Sequence, residues 1–368
     1  MENIGFSGLG ELTILLAFAL AFAITHRSIP SIVRVAREKK LIDKPNHRTS
    51  HFKDVPTLGG VAIFAALIVS QCIFINVGGC ADLKYIIAGV IFVFFIGLKD
   101  DILAIAALKK LIMQLAAALI VAVFGNIRLT NLHGFLGITE IPYVVSIVLT
   151  VFVIIVILNS VNLIDGIDGL ASGVTILISI VFGVWFYLVG SIDYAIMCAT
   201  IMGSTLGFFI FNVFGKENKI FMGDTGSLIL GFYLAILAIK FNEINAYYNG
   251  EYKIFAAPAV SIGIMVVPLF DTLRVFILRA ASGKSPFIAD KNHVHHSLIA
   301  LGMSHIKATT WILSVNVVFI ILSFLMCRRG IFNLTLIILI LAILFSYLPT
   351  HFLRKRGLNA VDSGVKQE

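Results

Sequence analysis

Charge is what this 368-residue chain has little of. Only 13% of it is Asp, Glu, Lys or Arg, roughly half the share of about 25% in a soluble domain. Strand-length alternation of apolar and polar residues is also missing. The apolar runs that recur from Leu12 to Leu348 are long and continuous, which excludes barrel strands. The four cysteines, Cys72, Cys80, Cys198 and Cys327, have no paired spacing, so neither a disulfide framework nor a thiolate zinc site follows. No Pro-rich or Gly/Ser-rich linker, low-complexity tract or internal repeat interrupts the chain, which leaves a second domain and an inverted-repeat transporter without support. No Lys or Arg precedes the first apolar run, Leu12–Thr25, whereas Arg27, Arg34, Arg37, Lys39 and Lys40 follow it. A cleaved secretory signal has the opposite polarity, so an uncleaved first span with its N-terminus outside is expected.

What is present is hydrophobicity: 59% of the residues, with a mean hydropathy of +1.00. With barrels excluded, only helices keep backbone groups paired in lipid. The expected fold is an all-α polytopic integral membrane protein with about eleven spans of about 17–25 residues. These are placed at 9–29, 57–76, 84–99, 109–125, 142–161, 171–190, 194–214, 225–241, 256–278, 309–326 and 331–350. Residues 126–142, with Gly134 and Gly137, suit a small outer hairpin. The net charge of +8 invites a nucleic-acid reading, but its placement argues for a membrane instead. The alternate loops hold 22 of the 28 Lys and Arg and leave six, Lys84, Arg128, Lys240, Lys253, Arg328 and Arg329, on the other side. By the positive-inside rule the C-terminus is then cytoplasmic, with 351–368 as a tail. The whole chain, 1–368, reads as one transmembrane domain with inner segments at 30–56, 99–110, 159–173, 215–227 and 271–308.

Six of the twenty acidic residues, Asp100, Asp101, Asp165, Asp168, Asp224 and Asp271, lie at the ends of apolar runs. All these ends are expected on the inner side. Asp100 and Asp101 are adjacent, and like charges side by side raise each other's proton affinity unless a cation relieves them. Asn159, Asn162, Asp165 and Asp168 recur every third residue, a slowly winding helical stripe whose oxygens suit a hard cation or sugar hydroxyls. Asp224 stands in Gly223-Asp224-Thr225-Gly226-Ser227 at a helix start. There an acid is a common N-cap, and the helix end itself favours phosphate. The first inner loop offers Arg48, His51 and Lys53 to phosphate, ahead of Pro56-Thr57-Leu58-Gly59-Gly60. The last carries His293-Val294-His295-His296. These histidines lack the companions of a zinc site and suit a pyrophosphate or sugar instead. Gly283-Lys284-Ser285 is no P-loop, because the required earlier glycine is Leu278.

Five ordered motifs, PNHRTSH…PTLGG, DD, NSVNLIDGIDGLASG, FMGDTGS and HVHH, spread over about Asp43 to Ser297, resemble those of the polyprenyl-phosphate N-acetylhexosamine-1-phosphate transferases. The resemblance implies ten or eleven helices and a cytoplasmic site in the plasma membrane. It also implies transfer of N-acetylhexosamine-1-phosphate from a UDP-sugar to undecaprenyl phosphate, with UMP released and a cell-surface glycan begun. The cofactor is magnesium, with manganese as the alternative. Carried over motif by motif, Asp224 and Asn162 are the metal residues and Asp100 and Asp101 the catalytic pair. His51, Asn159, Asp165, Asp168, His293, His295 and His296 bind substrate. So does Lys110, with Lys109 as the close alternative. The partners implied are the UDP-sugar, the polyprenyl phosphate and the bilayer, with no nucleic acid; a homodimer stays open. Val294 interrupts the histidines, which favours UDP-GlcNAc over the phospho-MurNAc-pentapeptide translocase branch. The rival from another class, a transporter, suits acids inside the spans, whereas these lie at one end of them. Reporter tags placed within 99–110 and after His296 are expected on the same, cytoplasmic side; opposite sides would break the common site.

Overall fold

The computed structural model describes residues 8–43, 55–76, 78, 80–103, 105–135, 137–281, 283 and 293–356. In chain order these form α1 (Gly8–Glu38), β1 (Ile42–Asp43), β2 (Val55–Pro56), α2 (Gly59–Phe74), α3 (Leu83–Leu103), α4 (Ala107–Leu119, continued by a π-turn through Phe124) and the strands β3 (Asn131–Phe135) and β4 (Ile138–Glu140). Then follow α5 (Tyr143–Leu163), α6 (Leu170–Leu188), α7 (Ile192–Phe214), α8 (Gly223–Tyr247), α9 (Ala257–Ile264), α10 (Val266–Ala281), α11 (Val294–Ala300), α12 (His305–Leu325) and α13 (Ile331–Lys355). Among the described residues, eight helices are long and apolar enough to cross a membrane, and nine when α9 and α10 count as one bent span. The chain is a multi-pass helical membrane protein. The other two expected spans are helical as well: α2 has 16 residues, and α3 has 21 with Lys99, Asp100 and Asp101 near its end. The outer hairpin forms as β3 paired antiparallel to β4.

Three boundaries differ from expectation. Helix α1 continues to Glu38, past Pro30, because Ile29, Val33 and Ala36 extend a buried stripe at helical spacing; residues 30–38 are therefore helix, not loop. Helix α3 runs to Leu103, so the twin aspartates stand on a helix. The expected span 256–278 is broken, with its halves meeting at 81°. Pro268 has no N–H for the carbonyl four residues back, that of Ile264. That carbonyl instead accepts from Asn316 Nδ2 on α12 at 3.4 Å.

Helix α8 is the central post. Of its membrane-length window 83% is buried, against 22% for α13, and α2, α3, α5, α6 and α9 pack around it. Glycine lets the backbones approach. A Cβ on Gly97 of α3 would lie 2.4 Å from Thr225 Cα, and one on Gly60 of α2 would lie 2.1 Å from Gly226 N. The same device joins α7 to α1, where Gly203 and Gly207 face the carbonyls of Phe18 and Phe22, a small-xxx-small crossing. Gly97→Ala is expected to cost about 1–3 kcal/mol by overpacking against α8, read as a lower thermal midpoint of the purified protein. Gly10→Ala, with nothing within 4 Å of the new methyl, is expected to leave the midpoint in place.

Candidate active site

Three polar segments converge on the first turn of α8. The strand β2 and the start of α2 run beside 221–222: Phe221 N donates to Pro56 O (2.8 Å), Gly59 N to Phe221 O (3.0 Å) and Gly60 N to Met222 O (2.9 Å). This places the PTLGG motif against FMGD. No side chain within this turn caps α8. The expected local cap, Asp224 or Thr225, lies inside the helix. The cap comes from α3 instead. Asp101 Oδ1 accepts from Asp224 N (2.7 Å), and Oδ2 accepts from Thr225 N (3.0 Å) and Thr225 Oγ1 (2.5 Å). The N–H groups that were expected to face phosphate are thus held by protein.

Adjacent residues on a helix point about 100° apart, and the twin aspartates separate accordingly. Asp101 faces α8, while Asp100 faces the start of α4. Asp100 Oδ1 accepts from Ile105 N (2.7 Å) and Oδ2 from Lys110 Nζ (2.9 Å). The same ammonium reaches Asp224 Oδ2 at 2.6 Å. The structure therefore separates the two lysines, Lys110 bridging two site carboxylates and Lys109 exposed. Of the three bridged side chains Asp224 is the most open, 30% exposed against 15% for Lys110 and 12% for Asp100. Ligand must approach from its side.

The Asn/Asp series does not stay one stripe, because α5 ends at Leu163 and Gly169, at φ +79°, turns the chain into α6. Asn159 pairs with Gln114 of α4 (3.0 and 3.3 Å), a contact between helices. Asn162 Nδ2 donates to Asp224 Oδ1 (2.6 Å) and Ser227 Oγ (2.8 Å). Asp168 accepts from Lys219 Nζ (2.6 Å) and faces His305 Nδ1 (3.3 Å), while its carbonyl accepts from Thr309 Oγ1 (2.8 Å). Burial pushes the Asp168 carboxyl up, but the bonds to His305 and Lys219 outweigh it and hold the group below the usual carboxylate range. Asp165 has no side-chain donor among the described residues. Burial, then the fields of Asp224, Asp101 and Asp168, push it up to about 8.

The histidines close the far side. Asp271 of α10 accepts from His293 Nδ1 (2.8 Å) and Val294 N (2.9 Å), fixing one imidazole and capping α11. His295 stacks on His293 with centroids 5.5 Å apart, and His296 lies 4.3 Å from His295. His295 is buried, its Nε2 without a partner, and burial holds its pKa well below the usual value. Its ring fills the space where Gly166 lacks a Cβ, which would sit 2.4 Å from Nε2. The HVHH motif thus touches the loop that carries Asp165. His51 lies outside the described residues.

Comparison with known proteins gives the chain a family. The model of glycosyl transferase family 4 matches residues 83–242, from the start of α3 to near the end of α8. A Bacillus subtilis protein named probable undecaprenyl-phosphate N-acetylglucosaminyl 1-phosphate transferase is 30% identical over 341 residues, 90% of each chain. The chain belongs to glycosyl transferase family 4. Two further relatives, each named undecaprenyl-phosphate alpha-N-acetylglucosaminyl 1-phosphate transferase, come from Haemophilus influenzae (30% identical, 76% of this chain and 77% of the relative) and Escherichia coli O157:H7 (29%, 75% and 73%).

For a family 4 transferase the donor set fits a hard divalent cation. Asp224 and Asp165 offer carboxylate oxygens, and Asp165, with no side-chain donor among the described residues and the charges of Asp224, Asp101 and Asp168 around it, is a group that positive charge would stabilise. Asn162 meets Asp224 as a donor, leaving its own carbonyl oxygen for a cation. Sequence reasoning missed Lys219, His305 and Gln114. Only Gln114 had a legible signal, an amide four residues beyond Lys110 on the same helix face. Lys219→Met is expected to destabilise the protein by about 1–2 kcal/mol at pH 7, since it strips a half-buried carboxylate of its main partner. The depressed folded-state pKa of Asp168 means this stabilisation is present above the unfolded pKa and lost as pH falls through the folded one. The difference between wild type and variant in thermal midpoint should therefore persist down to about pH 4 and shrink below it.

Proposed function

We propose that this chain transfers N-acetylglucosamine-1-phosphate from UDP-GlcNAc to undecaprenyl phosphate, releasing UMP. The observation that carries this reading is the meeting of the motif segments at the start of α8, where Lys110 bridges Asp100 and Asp224, Asn162 holds Asp224, and Asp165 lies within the field of Asp224. The relatives' names supply the substrates. The topology that accompanies the reading is eleven crossings, with α2, α3 and the bent α9–α10 pair included. The N-terminus is then outside and the C-terminus cytoplasmic, with the site on the cytoplasmic side of the plasma membrane. The charge asymmetry supports it. The whole chain acts as a single transferase domain.

In this reaction a phosphate oxygen of the lipid attacks the β-phosphorus of the sugar nucleotide. The bond from that phosphorus to the bridging oxygen breaks, and UMP leaves with the electron pair. Both reactants are anions, so positioning and charge compensation dominate the barrier. Asp224 and Asp165 would hold magnesium, which supplies charge neutralisation at the diphosphate when bound. Asn162 fixes the carboxylate of Asp224. Lys110 brings its ammonium to Asp224 and would share charge with incoming phosphate. Asp100 orients that ammonium. A lipid monophosphate is largely dianionic at pH 7, its second pKa being about 6, so proton removal is a minor demand. His293, oriented by Asp271, and His296 border the sugar-nucleotide side. The apolar cleft between α10, α12 and α13, lined by Trp311, Phe319 and Phe345 and reaching His295, suits a prenyl chain.

Membranes carrying the chain are expected to move label from UDP-GlcNAc into butanol-extractable lipid, with loss of transfer in EDTA and recovery with magnesium. Asp224→Asn should reduce transfer by at least about a thousandfold and Lys110→Met by about a hundredfold, whereas Lys109→Met keeps most of it. Label entering lipid only from the UDP-MurNAc-pentapeptide would move the chain to the translocase branch. Label entering from neither would reject the reading.

A further inference from the structure

The twin aspartates look equivalent in the sequence and are not equivalent in the fold. Both oxygens of Asp101 are taken, by Asp224 N, Thr225 N and Thr225 Oγ1. No other residue caps α8 from within its own first turn. The approach is close on every side. Gly223, at φ +70°, leaves room where a Cβ would meet Asp101 Oδ2 at 2.6 Å and Thr57 O at 2.2 Å, and Gly97 sits against Thr225 Cα one helical turn before Asp101. Asp100 differs in kind, since its partners are the ammonium of Lys110, shared with Asp224, and a neighbouring backbone N–H.

We infer that Asp101 is a positioning residue rather than a base or a metal ligand. It is a cap supplied to α8 by another helix, and it sets the direction in which Asp224 presents its carboxylate. The chemistry is that of an N-cap. A carboxylate accepts orphan N–H groups at a helix start and is favoured there by the helix dipole. A cap within the same chain segment would fix only α8. This one fixes α8 relative to α3, and so fixes Asp224 relative to Asp100 and Lys110. A displacement of about 1 Å between such groups is enough to cost about a hundredfold in rate. The inference rests on the transferase reading for its kinetic consequence, but not for the contact itself.

The test is a double-mutant cycle between Asp101→Asn and Thr225→Val in the full-length protein, in detergent–lipid micelles, with magnesium, UDP-GlcNAc and undecaprenyl phosphate. Both substitutions are close in size to the originals. Each single variant is expected to lower kcat by about tenfold or more and to raise the magnesium concentration for half-maximal rate, with the KM for UDP-GlcNAc unchanged. Because both break one unit, the double variant should fall no more than about threefold below the worse single one. Thr225→Ser, which keeps the hydroxyl, should recover most of what Thr225→Val loses. The same cycle in thermal midpoint without substrate should be non-additive too, a readout independent of any activity. Multiplicative losses in kcat, or a Thr225→Val variant with wild-type kcat, would overturn the inference. If the wild-type protein transfers no label while the thermal cycle remains non-additive, the contact stands and the transferase reading is what fails.

Discussion

Burying carboxylates is the constraint that organises this molecule. Asp100, Asp101, Asp165 and Asp224 gather at one end of a helix bundle whose walls are apolar, where an uncompensated charge is costly. Three of them receive different compensations. Asp101 takes a helix start, Asp100 takes an ammonium and a loop N–H, and Asp224 takes the same ammonium and an amide. Asp165 takes nothing among the described side chains. The asymmetry is informative, because a site with every charge already answered has nothing left to offer a ligand. On the proposed reading, Asp165 and the open flank of Asp224 are where a cation and its phosphates would complete the electrostatics.

Helix α8 makes this arrangement rigid. At its first turn it is held by Asp101 and by backbone bonds from β2 and α2. About 24 Å further along, at 1.5 Å per residue, Lys240 pairs with Asp82 Oδ2, which also accepts from Tyr194 OH at 2.7 Å. One turn on, Glu243 accepts both N–H and O–H of Thr130 (2.7 and 2.6 Å), tying the β3–β4 hairpin down. Both ends of the post are polar. The far end is closed by a lysine from α8 itself, whereas at the first turn the Asp224 side chain stays 30% exposed. The same side-chain chemistry is saturated at one end and partly open at the other.

How legible was this in the sequence? The apolar segments were, because membrane spans announce themselves by composition, and every expected span is helical in the fold. The site segments were legible as well, since polar residues at span ends have few reasons to be there. What periodicity could not supply was direction. Asn159 and Asn162 share a spacing and a residue type, yet one binds Gln114 and the other Asp224. Asp165 and Asp168 share a motif, yet only Asp168 is claimed by Lys219 and His305. The partners that decide these roles are lone residues far away in the chain, with no pattern of their own. The break at Met265 did have a local signal. Pro268 lies in the middle of the expected span 256–278, where its missing N–H kinks or breaks a helix, and Asn316 takes up the freed carbonyl of Ile264.

The histidine segment makes the same point about motifs. Three imidazoles in four residues suggest three equal ligands, but the fold assigns them different work. His293 is oriented by a buried carboxylate, which fixes its tautomer and its ring plane. His295 faces Gly166, and burial keeps it neutral. Its effect passes through the backbone: a larger residue at 166 or a smaller one at 295 would shift the loop holding Asp165, while leaving His293 and Asp271 in place. Val294, the residue that interrupts the histidines, gives its N–H to Asp271. Any residue but proline would supply that backbone N–H, so what the valine itself contributes is an apolar side chain, which lines the cleft beside His295.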